Sequence, residues 1–309
     1  MDGFHARLPK AELHLHLEGS IEPETLAELD PGVSVDEARA RYAFHDFAGF
    51  LEAFKWAVLR LRSPRDYALV AARLFERLRE QNVRYAEITL SAGVILWKKQ
   101  DFGAIYDAVA AASRGCGVEI YWVIDAIRHF GPDHALEVAR LAVERAGDGV
   151  VAFGVGGDES RGPVEWFTEA FSLARRHGLK LVPHAGETAG PASVWAALHA
   201  GADRIGHGFR AIEDPSLVAE LARRAVPLEI CISSNVATGA VSAIEAHPVR
   251  RLYEAGVPVV LSTDDPAIFR TSISREFELA ERVFGFSRAE LAELARAAFR
   301  HAFRPCLGQ

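Results

Sequence analysis

Cysteine is scarce: Cys116, Cys231 and Cys306 are the only three, they lie far apart, and no Cys-x-x-Cys pair exists. The spacing argues against a disulfide framework or a thiolate zinc site and fits a reducing compartment. Positive charge is also in deficit. Lys and Arg total 35 against 42 Asp and Glu, a formal net charge of -7. A phosphate backbone wants a basic surface, so nucleic acid is a poor candidate for the main partner, although a nucleoside is not excluded. No apolar run reaches the 18 residues of a membrane span, and the opening MDGFHARLPKAELH lacks the apolar core of a signal peptide. The expectation is a soluble, cytoplasmic protein. Linkers, low-complexity tracts and repeats are missing too. Residues 1–309 therefore read as one domain, with half of the residues hydrophobic and a large core within reach.

What is present begins with Glu12-Leu13-His14-Leu15-His16-Leu17-Glu18-Gly19. Its alternation predicts a strand with Leu13, Leu15 and Leu17 on one face and His14, His16 and Glu18 on the other. Two imidazoles at i and i+2 can reach one metal ion, though an ordinary strand can also carry two histidines. Ser20, Pro23 and Glu24 look like a helix start. Phe44, Phe47, Phe50, Leu51, Phe54, Val58 and Leu61 recur at helical spacing, and a second helix is expected over 66–81. Further strand-like runs follow at 83–90, 118–126, 150–156, 180–184, 204–207, 227–233 and 258–263. Helix-length stretches such as 133–146, 165–177, 191–200, 214–225 and 246–255 lie between them, and a helical segment at 275–303 closes the chain. Eight apolar strands alternating with helices predict an α/β fold, a (β/α)8 TIM barrel with extra helices forming a lid. The competing doubly wound sheet would call for a Gly-x-Gly-x-x-Gly after the first strand, and none occurs.

The site of such a barrel lies where its strands end. Those ends read His14 to Gly19, Asp125 to His129, Gly154 to Glu159, His184-Ala185-Gly186-Glu187, Ile205-Gly206-His207-Gly208, Ser233-Ser234-Asn235 and Ser262-Thr263-Asp264-Asp265-Pro266. Each has an ordinary reading: a core histidine at His184, turn chemistry at Asp264-Asp265, a helix cap at Glu187, a bend at His207. Jointly they point to one metal held by His14, His16, His184 and Asp264. Three imidazoles and a carboxylate suit Zn2+, one per chain, with a position left for water whose pKa zinc brings to about 7. His207 is then free to orient or deprotonate that water. Glu187 is free to act as proton donor if burial raises its pKa.

These motifs resemble the adenosine deaminase family of the amidohydrolase superfamily. The resemblance rests on Lys10 to Ser20, His184-Ala185-Gly186-Glu187, Arg204-Ile205-Gly206-His207-Gly208 and Ser262-Thr263-Asp264-Asp265-Pro266, in the family's order along nearly the whole chain. It implies a one-zinc barrel that hydrolyses the 6-amino group of an adenine ring. By resemblance, Glu187 protonates N1, His207 activates and orients the water, Asp265 meets N7, and the backbone N–H of Gly157 meets N3. The fourth strand offers no lysine to bridge two metals, and no Pro-Cys-x-x-Cys signature of the His/Cys/Cys deaminases occurs.

Two departures bear on substrate. Adenosine-specific members usually carry Asp at Glu18, which reaches the ribose 5′ side, and Asp at Gly154. The segment between Glu18 and Phe44 is also short. These features resemble a bacterial branch that includes deaminases of 6-aminodeoxyfutalosine, an adenosine derivative with a benzoate-containing 5′ extension used in menaquinone synthesis. Adenine deaminases also have Glu at this place, but usually end the fourth strand with Asp-Ser-Ser-Glu, unlike Gly156-Gly157-Asp158-Glu159. The expected substrate is thus a purine nucleoside, with free adenine, or a catalytically silent binding protein, as alternatives. Phe50, Leu51 and Phe54 either pack a helix into the core or form an apolar lid. Arg128 and His129 read as salt-bridge partners behind the site, and Arg60 or Arg62 as candidates to meet a carboxylate tail.

Overall fold

A computed structural model describes residues 3–306. Eight parallel strands run in sequence order: β1 (Lys10–His16), β2 (Val83–Leu90), β3 (Glu119–Ile127), β4 (Val150–Gly156), β5 (Lys180–Ala185), β6 (Ile205–His207), β7 (Leu228–Ile230) and β8 (Val259–Leu261). Each pairs with the next. A bridge between Leu15 and Asp264 joins the last to the first, so the sheet closes into the expected (β/α)8 barrel. The β4 strand is buried throughout, as a sheet covered on both faces requires. The helices bury one stripe each. In Pro64–Glu80 the buried positions are Tyr67, Val70, Ala71, Leu74, Phe75 and Leu78, a spacing of three and four. Among the described residues no helix is long and apolar enough to cross a membrane.

Four local expectations are corrected. The β1 strand does not alternate cleanly, because its pairing with β2 shifts register between Glu12 and Leu15. Leu13 and His14 consequently line the same small cavity, and Leu13 packs with Ala11, Tyr85 and Val260, apart from Leu15 and Leu17. Glu18 lies beyond the strand, in a 3-10 turn Glu18–Ser20. Ser20 is not the next helix's cap. Its hydroxyl turns back to the His16 carbonyl (2.7 Å), and helix Pro23–Leu29 starts after Glu22. The seventh strand stops at Ile230 and the chain turns into helix Ile232–Ala237. The β-branched run that reads as continued strand is bent so that Ser234 and Asn235 face the barrel mouth.

The aromatic stretch forms helix Phe47–Val58, with Asp46 accepting from Gly49 N (2.7 Å) at its start. It lies across the C-terminal mouth of the barrel. The C-terminal segment is two helices, Ile273–Phe284 and Arg288–His301, the second contacting β1 and β8.

Candidate active site

Strand ends bring His14, His16, His184, His207 and Asp264 together. Donor atoms of His14, His184, His207 and Asp264 all lie within 4.8 Å of one another. Asp264 Oδ1 is 3.3 Å from His14 Nε2 and 3.4 Å from His16 Nε2, and His16 Nε2 faces His184 Nε2 at 3.3 Å. All five side chains are buried. Asp264 holds a left-handed backbone (φ 65°), as does His207 (φ 60°), a conformation costing on the order of 1–3 kcal/mol for a residue other than glycine. Barrel closure compensates at Asp264. Its N–H donates to the His14 carbonyl (3.0 Å), and its carbonyl accepts from His16 N–H (2.8 Å).

The donor set fits a metal ion. His14 Nε2 is buried without a hydrogen-bond partner, although its ring is anchored from behind, Nδ1 standing 2.7 Å from Glu229 Oε2. Burial opposes charge on His14, but the contacts with Asp264 and Glu229 outweigh it and raise its pKa to about 10. His16 and His207 are lowered to about 4 and His184 well below the ordinary value, each mainly by burial. Neutral imidazoles at His16 and His184 facing a carboxylate held ionised are what a borderline cation binds, and it would displace the proton that His14 holds beside Asp264. The Asp264 carboxyl stays well below the usual range despite burial, through His14, His207 and His16, and accepts the Ser234 hydroxyl (2.7 Å).

Two acids stand opposite this cluster with their pKa values shifted upward. Glu187 is pushed well above the usual carboxyl range by burial, then by Asp264 and Glu159. Its Oε2 lies 3.6 Å from His207 Nε2. Asp265 is raised by burial and by Asp264 beside it. Gly19 makes room for it: a Cβ there would stand 1.7 Å from Asp265 Oδ1. Both acids line a cavity of about 380 Å3 whose wall also includes His16, Asp125, Gly157, His184, His207 and Asp264. Gly157 has φ +91°, which permits the backbone to turn into the cavity.

The aromatic helix packs into the core and also lines the cavity. Phe50 is buried, stacked on Phe269 with ring centroids 5.0 Å apart, and it lines the cavity together with Leu51 and Phe54. Val58, Val94, Trp97 and Phe130 extend the apolar wall outward, Trp97 and Phe130 stacking at 6.1 Å.

Other expected residues fall outside the cavity. Glu18 is absent from its lining; it is fully buried, with Oε1 accepting Ser91 N–H (3.0 Å), Oε2 unpartnered and its pKa raised to about 7 by burial. Arg60 and Arg62 face Asp30, at 3.7 and 3.1 Å. Arg128 holds backbone in place of a carboxylate, donating to the carbonyls of Gly162 (2.5 Å) and His184. The cation lining the cavity is the exposed Lys55 on the lid.

The sequence leaves Glu229 unmarked and offers Glu159 and Asp125 only as strand-end residues without a role. Glu229 anchors His14 and pairs with Arg204; a lone acid inside Leu228–Ile230 was its signal. Glu159 accepts backbone N–H groups from Gly186, Glu187, Thr188 and Ala189 at 2.8–3.1 Å, fixing the loop that carries Glu187. Burial would raise its pKa, but these bonds, Ser193 and Arg128 lower it. Asp125, paired in register with Gly154, is buried with no partner at hydrogen-bond geometry on either oxygen, although Ser91 is close enough to oppose the upward shift that burial and Glu18 impose.

The adenosine deaminase family model matches residues 9–307. The chain belongs to the adenosine deaminase family. It is 38% identical to the aminodeoxyfutalosine deaminase of Streptomyces coelicolor, covering 100% of this chain and 84% of that protein. It is 39% identical to an adenine deaminase of Rhizobium leguminosarum bv. trifolii, covering 96% and 95%. The crystal structure of adenine deaminase from Arthrobacter aurescens superposes with a TM-score of 0.90 at 29% identity, over 96% of this chain and 94% of that one. Membership makes the chain a hydrolytic deaminase.

Proposed function

We propose that the protein hydrolyses the 6-amino group of a purine nucleoside extended at its 5′ side, using one zinc ion held by His14, His16, His184 and Asp264. The observation that carries the chemistry is the pair of buried acids, Glu187 and Asp265, facing the imidazole–carboxylate cluster across one cavity. An ion there would supply the Lewis acidity that makes hydroxide available near neutral pH.

The chain's own residues do the rest. Protonated Glu187 donates to purine N1, which makes C6 electrophilic. Asp265, also protonated, donates to N7, and the Gly157 backbone meets N3. His207 orients the attacking water at C6. The proton on N1 comes from Glu187; of the two water protons, one returns to Glu187 and the other ends on the exocyclic nitrogen. The C6–N bond then breaks, giving ammonia and the 6-oxo purine. The lid excludes water and strengthens these electrostatic contacts.

The apolar outer wall supports a nucleoside over free adenine. A bare base would occupy the polar floor, leaving Phe54, Trp97 and Phe130 without contact, whereas the cavity volume suits a drug-sized ligand (about 300–1,000 Å3). Lys55, an exposed cation in the cavity lining, would meet a carboxylate tail. The relatives favour neither substrate, since the two named activities stand at nearly the same identity. The test is kcat/KM for 6-aminodeoxyfutalosine, adenosine and adenine, followed by ammonia release. The extended nucleoside is expected to lead by at least about tenfold, or about 1.4 kcal/mol. Preference for adenine would overturn the nucleoside reading, and inertness of the zinc-loaded protein towards all three would overturn the deaminase reading.

A further inference from the structure

Behind His207 runs a line of buried polar groups. The backbone N–H of Val249 donates to His247 Nδ1 at 3.2 Å. His247 Nε2 lies 3.1 Å from Asn235 Oδ1, and Asn235 Nδ2 lies 3.1 Å from His207 Nδ1. Asn235 and His207 are almost completely inaccessible, and His247 is 3% exposed.

The direction of this line is not a matter of choice. A backbone N–H can only donate, so His247 Nδ1 must be an acceptor. A neutral imidazole with one nitrogen accepting carries its proton on the other, so His247 Nε2 is a donor. It must face the oxygen of Asn235, because the opposite amide orientation would set donor against donor. The amide nitrogen therefore faces His207 Nδ1 and donates to it. His207 Nδ1 is then the acceptor, and the ring proton resides on Nε2. That nitrogen points into the site, 3.6 Å from Glu187 Oε2 and 3.9 Å from Asp264 Oδ2. Phe209 and Phe284 pack on the His247 ring, at 5.4 and 6.1 Å between centroids, and hold its plane.

We propose that Asn235 and His247 are positioning residues that fix His207 as the Nε2–H tautomer, so that neutral His207 enters the reaction as a hydrogen-bond donor to the attacking oxygen and not as the base that deprotonates it. The same assignment removes His207 from the set of metal ligands, since a protonated Nε2 has no lone pair to give. Proton movement between water and purine is left to Glu187. The part played in catalysis rests on the deaminase reading; the tautomer does not.

The experiment is 15N NMR of the full chain labelled at histidine, with the His207 ring assigned by its loss in His207→Gln. At pH 7.5 the wild type is expected to show a protonated Nε2 and an unprotonated, hydrogen-bonded Nδ1. A proton on Nδ1, alone or with Nε2, would overturn the proposal whatever the enzyme's substrate. Asn235→Asp replaces the amide donor by a carboxylate that can only accept when ionised, and should move the ring proton to Nδ1. A wrong tautomer at a catalytic histidine costs up to about 10⁴-fold in kcat, so a fall of 10²–10⁴-fold in kcat with KM changed less than about threefold is expected. A merely structural role predicts a lower Tm with an unmoved ring proton, and that result would overturn the proposal. Wild-type kcat in a variant shown by NMR to hold Nδ1–H would overturn the donor role.

Discussion

Glu187 and Asp265 owe their chemistry to surroundings more than to residue type. Each is a carboxyl whose pKa is raised by burial and by Asp264 beside it. Glu187→Gln keeps the shape and removes the transferable proton. It is expected to bind zinc at wild-type stoichiometry by elemental analysis while kcat falls about 10²–10⁴-fold. The pH dependence follows from the direction of the shift. An acid with a raised pKa is competent below that pKa and spent above it, so wild-type kcat/KM should fall as pH rises through a pKa above the ordinary carboxyl range. The residual activity of Glu187→Gln should lack that fall. Asp265→Ala is expected to retain the ion and lose purine affinity, read as unchanged zinc content with a raised KM; loss of zinc would show that Asp265 is itself a ligand. The chemistry-bearing types at strand ends were readable in the sequence because few structural reasons place His or Asp there. The supporting roles of Glu159 and Glu229 were not readable, because they depend on contacts with the loop carrying Glu187 and with His14 that only the folded barrel creates.

The lid helix Phe47–Val58 serves the core on one side and the cavity on the other, and two substitutions separate these duties. Phe50 is buried against Phe44, Phe47, Phe54 and Phe269, so Phe50→Ala should cost about 3–5 kcal/mol of stability, visible as a lower Tm. Phe54 is half-buried. Phe54→Ala should lower Tm less and act mainly on KM for the extended nucleoside. Periodicity made this helix legible, while its function depended on where the barrel mouth put it. Legibility failed where a short segment changes type without a change in composition. Residues 227–233 read as one strand, yet helix begins at Ile232, because Ser234 must reach Asp264 and Asn235 must reach His207.

Across the whole molecule, a buried charge line ties the closed end of the barrel to the site. Arg204 joins Glu87 and Glu229 (2.5 Å), Glu229 holds His14, and the far end is covered by the His301 carbonyl (2.8 Å) and the Phe303 ring, 3.6 Å from the guanidinium. Arg204→Met would leave two buried carboxylates facing each other, a loss of about 3–5 kcal/mol. Adding Glu87→Gln and Glu229→Gln should recover much of the Tm but not the grip on His14, so zinc affinity measured by chelator competition stays low. The barrel itself was legible from eight apolar runs; this line was not, since Arg204 opens a family motif in the sequence without any sign of its partners Glu87 and Glu229. The seam where Leu15 meets Asp264 has one more consequence, for biosynthesis. During translation β1 emerges first, carrying two imidazoles, and His184 and His207 follow long before the chain that supplies Asp264 exists. The hydrogen bonds that shut the cylinder run between Asp264 and the backbone of His14 and His16, so closure also brings together three of the four proposed metal donors. A nascent chain that has not yet reached residue 264 therefore lacks both the closing seam and the complete set of proposed donors.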